Sequence, residues 1–261
     1  TLPYTFQKCE ETGRIDNFAK AGGLLEGEHE GIHFNDSDVF KVVEGAAYSL
    51  KVNRDSDLED YVDGVIAKMA ASQEEDGYLY TIRTIDSDAV PDRVGKTRWE
   101  NLKVGHELYN LGHMYEAGVA YFQATGKRVL LDVALKSADL LCQVFGPEKV
   151  RDVPGHQEIE IGLARLYRGT GDHHYLDLAK FFLDERGRFH DREEDDGAEY
   201  RQDHQPVLDQ EEAVGHAVRA GYMYSGMADI AALTGSEKFV DAIDRIWNDV
   251  NTSKLYLTGG I

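Results

Sequence analysis

Three copies of one short pattern constrain the fold of this chain more than any other feature. Thr125–Asp132 recurs as Thr170–Asp177 and again as Thr234–Asp241. The shared form is Thr-Gly, three variable residues, two apolar residues, then Asp. A glycine after a helix can take the left-handed C′ position that ends it. The short polar link then opens a second helix with apolar periodicity. Each copy therefore predicts a helical hairpin, the pattern recurring 45 and then 64 residues on. Regular recurrence at such periods marks a repeat architecture.

Upstream of each turn stands a Gly-His pair: Gly105-His106, Gly155-His156 and Gly215-His216. The segments they open are apolar nearly all round, as in Ala117-Gly118-Val119-Ala120-Tyr121 and Gly226-Met227-Ala228-Asp229-Ile230. A helix of that kind is buried. The helix after each Thr-Gly turn, such as Leu176–Phe182, is more amphipathic and suits an outer layer. Residues 38–50 and 58–71 form an earlier inner and outer pair. The expected class is all-α, an (α/α)6 toroid truncated to about four hairpins. Six pairs close such a toroid, so 1–261 reads as an incomplete barrel. Its open edges should leave Val42, Ala46 and Ala47 on one side, and Met227, Ile230 and Ala231 on the other, partly exposed.

Charge narrows the function. Lys plus Arg total 28 against 48 acidic residues, a net charge of −20. That field repels polyphosphates, so nucleic acid is not an expected partner. The run Arg192–Asp196 reads as a solvated acidic loop. No stretch of 18 apolar residues occurs, so no membrane span is expected. Cys9 and Cys142, 133 positions apart, form neither a disulfide framework nor a CxxC metal spacing. Cys142 lies in an apolar helix and reads as core.

Inner helices of a helical toroid point one set of ends at a central cavity, the natural ligand site. His106, His156 and His216 stand at matching helix starts, where Ser, Thr, Asp or Asn would be the usual caps. They are expected to share that mouth, and imidazole nitrogens suit sugar hydroxyls. Tyr109 and His113 follow His106 on one face and either could extend the lining, with core packing the plainer reading of His113. Asp36 and Asp38 open the first inner helix, as caps or as residues at the cavity rim. Asp203-His204-Gln205-Pro206 precedes another inner helix and makes His204 a further candidate. Gln73–Tyr80 reads as an aromatic loop entering a short strand, suited to stacking on sugar. Glycoside hydrolysis usually uses two carboxyl groups, and no pair with a fixed separation can be read here. No GxSxG, Walker loop, GxGxxG or HExxH occurs.

Asp36–Lys41, Gln73–Tyr80, His106–His113, Pro154-Gly155-His156, Asp203–Val207, Gly215–Ala220 and Tyr256–Ile261 together resemble glycoside hydrolase family 127. The resemblance runs in order along the whole chain. It implies an (α/α)6 barrel followed by β-sandwich domains, and retaining release of terminal L-arabinofuranose or a related sugar from a bacterial enzyme's glycan substrate. It also implies a cysteine nucleophile, a glutamate acid/base and a zinc ion held by a glutamate and cysteines. These should lie after the Thr258-Gly259-Gly260-Ile261 motif, which leaves no catalytic residue and no zinc ligand within this segment. Cys9 and Cys142 match none of these roles, whereas the family's sugar-contacting histidines correspond to His106, His156 and His216. The segment alone is accordingly expected to be inactive. Another (α/α)6 activity, uronyl hydrolysis or sugar epimerisation, and a non-catalytic helical scaffold are the competing readings. Basic groups at the cavity would favour a uronyl substrate. Self-association is compatible with the sequence, and the compartment, cytoplasmic or periplasmic, is left open.

Overall fold

In the computed structural model, residues 1–86, 91–189 and 196–261 are described. Helices take up 65% of the chain, and no strand occurs among the described residues. The acidic run noted above falls at 192–195 outside them. The elements group into two compact units, 1–141 and 142–261.

The first unit opens with α1 (Leu2–Glu11) and α2 (Arg14–Ala21), a pair not expected from the sequence. They are short and largely polar, so each buries only a few apolar side chains: Phe6 and Cys9 on α1, Ile15, Phe18 and Ala19 on α2. Gly13, at φ 70°, makes the turn between them. Next come α3 (Asp36–Val52) and α4 (Ser56–Ser72), the first expected hairpin. Asp55 caps α4 by accepting the Leu58 N–H at 3.1 Å. A short α5 (Thr81–Ile85) and α6 (Leu102–Gly105) precede α7 (Glu107–Thr125), which packs along α3. Nearly every residue of α7 from Glu107 to Tyr121 is buried, as an inner helix requires. Its partner α8 (Val129–Val144) comes so close at Gly118 that a Cβ there would meet the Leu130 carbonyl at 3.1 Å.

The second unit carries α9 (Ile159–Thr170) with α10 (His173–Glu185), and α11 (Ala217–Thr234) with α12 (Glu237–Asp249). All four expected hairpins are thus present. The Thr-Gly turns behave alike in each repeat. Gly126, Gly171 and Gly235 are left-handed at φ 78°, 78° and 67°. The preceding threonine hydroxyls donate to the carbonyls four residues back, on Tyr121, Leu166 and Ile230, at 2.8, 2.8 and 2.6 Å. Each threonine hydroxyl thus adds a second donor to a carbonyl of its own helix, and the glycine N–H that follows bonds the next carbonyl, on Phe122, Tyr167 and Ala231.

Three expectations are corrected. No strand follows Gln73–Tyr80: the Glu74 N–H closes a turn onto the Tyr78 carbonyl at 2.9 Å, and the chain enters α5. An isolated extended segment has no ladder partner in an all-α chain, and the Asp36 carboxylate takes the Thr81 N–H instead. The expected exposed edges are mostly covered. Val42 is half-buried as expected, but Ala46, Ala47, Met227, Ile230 and Ala231 are buried, because α1 packs on α3, and α9, α10 and α12 all pack on α11. Cys142 is half-buried rather than core, in the wall of a cleft of about 840 Å³ beside His174 and Phe181.

Candidate substrate-binding site

A cluster of histidine and aromatic rings lies in each unit. In the first, His106 precedes α7 in the left-handed region at φ 63°, an uncommon place for a residue with a ring. Its imidazole stacks on Phe34 with centroids 4.7 Å apart and 29° between planes. His33 and Tyr109 meet it edge-on at 5.2 and 5.6 Å. His106 Nδ1 lies 2.7 Å from the Val104 carbonyl. A carbonyl only accepts, so Nδ1 carries the proton and Nε2 of the neutral ring is an acceptor. His33 Nε2 donates to the same carbonyl at 3.1 Å. Burial lowers the His33 pKa, which keeps that ring neutral. Tyr109 accepts the Lys41 ammonium at 2.8 Å and packs against His113 edge-on at 4.7 Å.

Beneath His106 lies a buried carboxylate network. Glu107 accepts the Tyr78 hydroxyl at 2.5 Å and the Trp99 N–H at 3.0 Å, with the Arg83 Nε 3.7 Å away. Burial pushes the Glu107 carboxyl up to about 7, against the Tyr78 hydrogen bond and the Arg83 charge. Tyr78 and Tyr80 are each 1% exposed, so the aromatic loop is core and offers no stacking face. Asp36 is buried with them and accepts the Thr81 N–H at 2.9 Å and the Thr81 hydroxyl at 2.5 Å. Its removal from water raises the carboxyl to about 6 despite those two bonds. Asp38 is more open, paired with Arg14 Nε at 2.9 Å and Lys41 at 3.9 Å.

In the second unit His156 and His216 come together, ring centroids 6.3 Å apart. Tyr222 meets His156 edge-on at 5.5 Å, and Tyr200 meets His216 at 5.3 Å. Their tautomers are set oppositely. His156 Nδ1 donates to the Gln157 carbonyl at 2.8 Å, leaving Nε2 an acceptor. His216 caps α11: its Nδ1 accepts the Arg219 N–H at 3.4 Å, which places the ring proton on Nε2. With these tautomers one ring's Nε2 is of acceptor type and the other's of donor type, the complement a hydroxyl needs.

Behind this pair the backbone is held by buried amides. Gln157 Nε2 donates to the Arg201 carbonyl at 2.8 Å, and Gln202 Nε2 donates to the Val214 carbonyl at 2.8 Å. Arg219 is only 8% exposed, with its guanidinium 4.9 Å above the Tyr200 ring. No carboxylate pairs with it among the described residues, and its Nε is buried without an acceptor. Burial lowers its pKa, and the neighbouring Arg201 and Arg186 act in the same direction. His204 is half-buried, its Nδ1 shut from solvent with no hydrogen-bond partner among the described residues. Beside it, Asp203 accepts the Gly187 N–H at 2.7 Å.

Sequence reasoning reached the three histidines but passed over His33, Phe34, Tyr200, Tyr222 and Arg219. Arg219 lies inside the Gly215–Ala220 motif, and Phe34 stands two residues before Asp36. Tyr200 and Tyr222 carry no repeat signal and join the cluster only through the fold.

A family model described as β-L-arabinofuranosidase, GH127 catalytic domain, matches residues 1–261. The chain is 39% identical over 269 aligned residues to the non-reducing end β-L-arabinofuranosidase of Bifidobacterium longum subsp. longum, covering 95% of this chain and 40% of that protein. A solved GH127 β-arabinofuranosidase superposes with a TM-score of 0.93 at 50% identity, over 100% of this chain and 41% of its own. A GH127 β-L-arabinofuranosidase from Geobacillus stearothermophilus T6 gives a TM-score of 0.92 at 41% identity, over 100% of this chain and 44% of its own. The chain therefore spans about two fifths of the length of these relatives. No described helix is long and apolar enough to cross a membrane. The match along the whole chain makes it a member of glycoside hydrolase family 127, within that family's catalytic domain.

Proposed function

We propose that the enzyme carrying this chain releases terminal L-arabinofuranose, or a related sugar, from plant-type glycans by a retaining mechanism. The observation that carries this reading is the His156–His216 pair, whose opposed tautomers suit a sugar hydroxyl, in a chain 39% identical to a β-L-arabinofuranosidase. His106 is assigned to the same task, with its Nε2 as acceptor. Asp38, linked through Lys41 to Tyr109, is a further candidate, as is His204, and Asp36 supports from behind by holding Thr81.

The chain's two thiols do not suit a zinc-bound nucleophile. Burial and the nearby Asp38 raise the Cys9 pKa, which disfavours the thiolate that zinc binding and attack require. The Cys142 sulfur lies 3.8 Å from the His174 carbonyl, toward which its S–H points. The nucleophile, the acid/base and the zinc ligands are accordingly assigned to the part of the relatives' length that this chain does not span. Within this chain the work is binding: orienting the sugar ring by hydroxyl contacts to Nε2 atoms whose proton positions the backbone has already fixed.

The test is hydrolysis of an aryl β-L-arabinofuranoside by the full enzyme, with the anomer first released followed by NMR. Release of the β-anomer, and a KM raised at least tenfold by His156→Ala, is expected. Inverted product would refute the retaining step. Unchanged kinetics in the histidine variants would refute the binding assignment.

A further inference from the structure

Residues 91–106, which lead into α7, are bound to the Gln73–Tyr80 motif and α5 at many points, and two of them are strained. Trp99 and His106 hold φ of 65° and 63°. For bulky side chains this region is costly and persists only where surrounding structure enforces it. The enforcing bonds are identifiable. Arg83 donates to the Lys96, Val94 and Gly95 carbonyls at 3.1, 3.0 and 2.9 Å. Glu107 takes the Trp99 N–H, and its other oxygen takes the Tyr78 hydroxyl. The Tyr80 hydroxyl donates to the Gly105 carbonyl at 2.5 Å, one residue before His106. The next carbonyl back, on Val104, receives both His33 and His106.

We infer that Tyr80 and Glu107 are positioning residues for His106: they hold residues 94–106 in place and keep His106 in the left-handed conformation that aims the imidazole and fixes its proton on Nδ1. The Gln73–Tyr80 motif thereby acquires a task other than contact with sugar. Tyr80 pulls the Gly105 carbonyl inward, which turns the Gly105–His106 peptide and sets the His106 φ. Glu107, at the first position of α7, holds Trp99 and so closes the loop from its other end. With the loop held, the Val104 carbonyl stays within reach of His106 Nδ1. Released, the backbone would relax toward negative φ, and the Nδ1 bond that selects the tautomer would be lost.

The sugar-contact part of the test rests on the reading of His106 given above, while the tautomer part does not. In the full enzyme labelled with ¹⁵N-histidine, wild-type His106 should show the Nδ1–H pattern, identified by its loss in His106→Ala. Tyr80→Phe, which removes one hydroxyl, and Glu107→Gln should each shift that signal toward a mixture of tautomers. Both should raise KM on the aryl arabinofuranoside by about tenfold, with a smaller change in kcat. In a His106→Ala background, Tyr80→Phe should add less than about twofold, because an effect exerted through His106 cannot be lost twice. An unchanged His106 signal in Tyr80→Phe overturns the inference, as does a full Tyr80→Phe effect persisting without His106. Should Glu107→Gln fail to fold, the hydroxyl deletion decides alone. If His106→Ala leaves KM unaltered, the sugar-contact reading fails, and the ¹⁵N comparison still decides the positioning.

Discussion

Replacing Asp36 with Asn should stabilise the protein at neutral pH, although Asp36 accepts two good hydrogen bonds. The carboxyl is fully buried and its pKa rises from the ordinary 3.8 to about 6. An acid with a raised folded pKa contributes stability that is present below its unfolded pKa and is lost as pH rises through the folded one. A shift of about 2 units at roughly 1.4 kcal/mol each corresponds to about 3 kcal/mol lost between pH 4 and pH 7. Asn is permanently neutral and escapes that loss. It keeps the Thr81 N–H bond through its Oδ1, but turns an NH2 toward the Thr81 hydroxyl in place of an acceptor, at a cost of about 1 kcal/mol. The balance favours Asp36→Asn by about 2 kcal/mol at pH 7, with the order reversed by about 1 kcal/mol at pH 4. Asp36→Ala behaves differently, since it strands two buried donors at about 1–3 kcal/mol each and should be the least stable at every pH. The assay is chemical denaturation of the three proteins from pH 4 to pH 7. A wild-type minus Asn difference that stays flat across that range would show that Asp36 is not buried as an ionisable acid, and would refute the reasoning.

Two glycines of the second unit should separate strain from collision. A Cβ on Gly171 meets nothing within 4 Å, so Gly171→Ala should cost only the left-handed penalty of about 1–2 kcal/mol; a Cβ on Gly187 would lie 2.0 Å from the Gln205 carbonyl carbon, so Gly187→Ala should prevent folding or cost several times more, both read by thermal melting. His216→Asn keeps a side-chain acceptor for the α11 cap and removes the imidazole, so it should melt within about 1 kcal/mol of wild type while raising KM; equal loss of stability and binding in Asn and Ala variants would mean that the ring's only task is capping. Arg219→Met relieves a buried cation without a carboxylate partner among the described residues, so its melting temperature should match or exceed that of wild type; a drop of several degrees would reveal a counter-ion elsewhere in the enzyme.

What the sequence made legible follows from what is local. The Thr-Gly turns could be read because glycine's left-handed conformation and a threonine's bond four residues back involve a handful of consecutive residues. The inner helix α7 was legible because it is apolar on every side. The α1–α2 pair was not, since Phe6, Cys9, Ile15 and Phe18 are too few against their charged neighbours to raise a periodic signal, and Phe18 is fixed only by meeting Phe40 edge-on at 5.4 Å.

The same distinction explains the site. The histidines stand out in the sequence because they sit at one place in each repeat, yet their hydrogen bonding depends on partners that no repeat encodes. His156 and His216 occupy equivalent sequence positions and carry opposite tautomers. His216 stands directly at the start of α11 and can cap it, whereas two residues separate His156 from Ile159 at the start of α9, and its Nδ1 turns to the Gln157 carbonyl instead. That difference of a few residues in where a helix begins converts a donor into an acceptor. Tyr78 and Tyr80 show the converse: an aromatic run in a loop looks like a sugar platform, and only the buried acceptors waiting for their hydroxyls, the Glu107 carboxylate and the Gly105 carbonyl, turn both rings inward. A repeat therefore specifies where a chemical group stands, and the non-repeating loops between hairpins decide what that group can do.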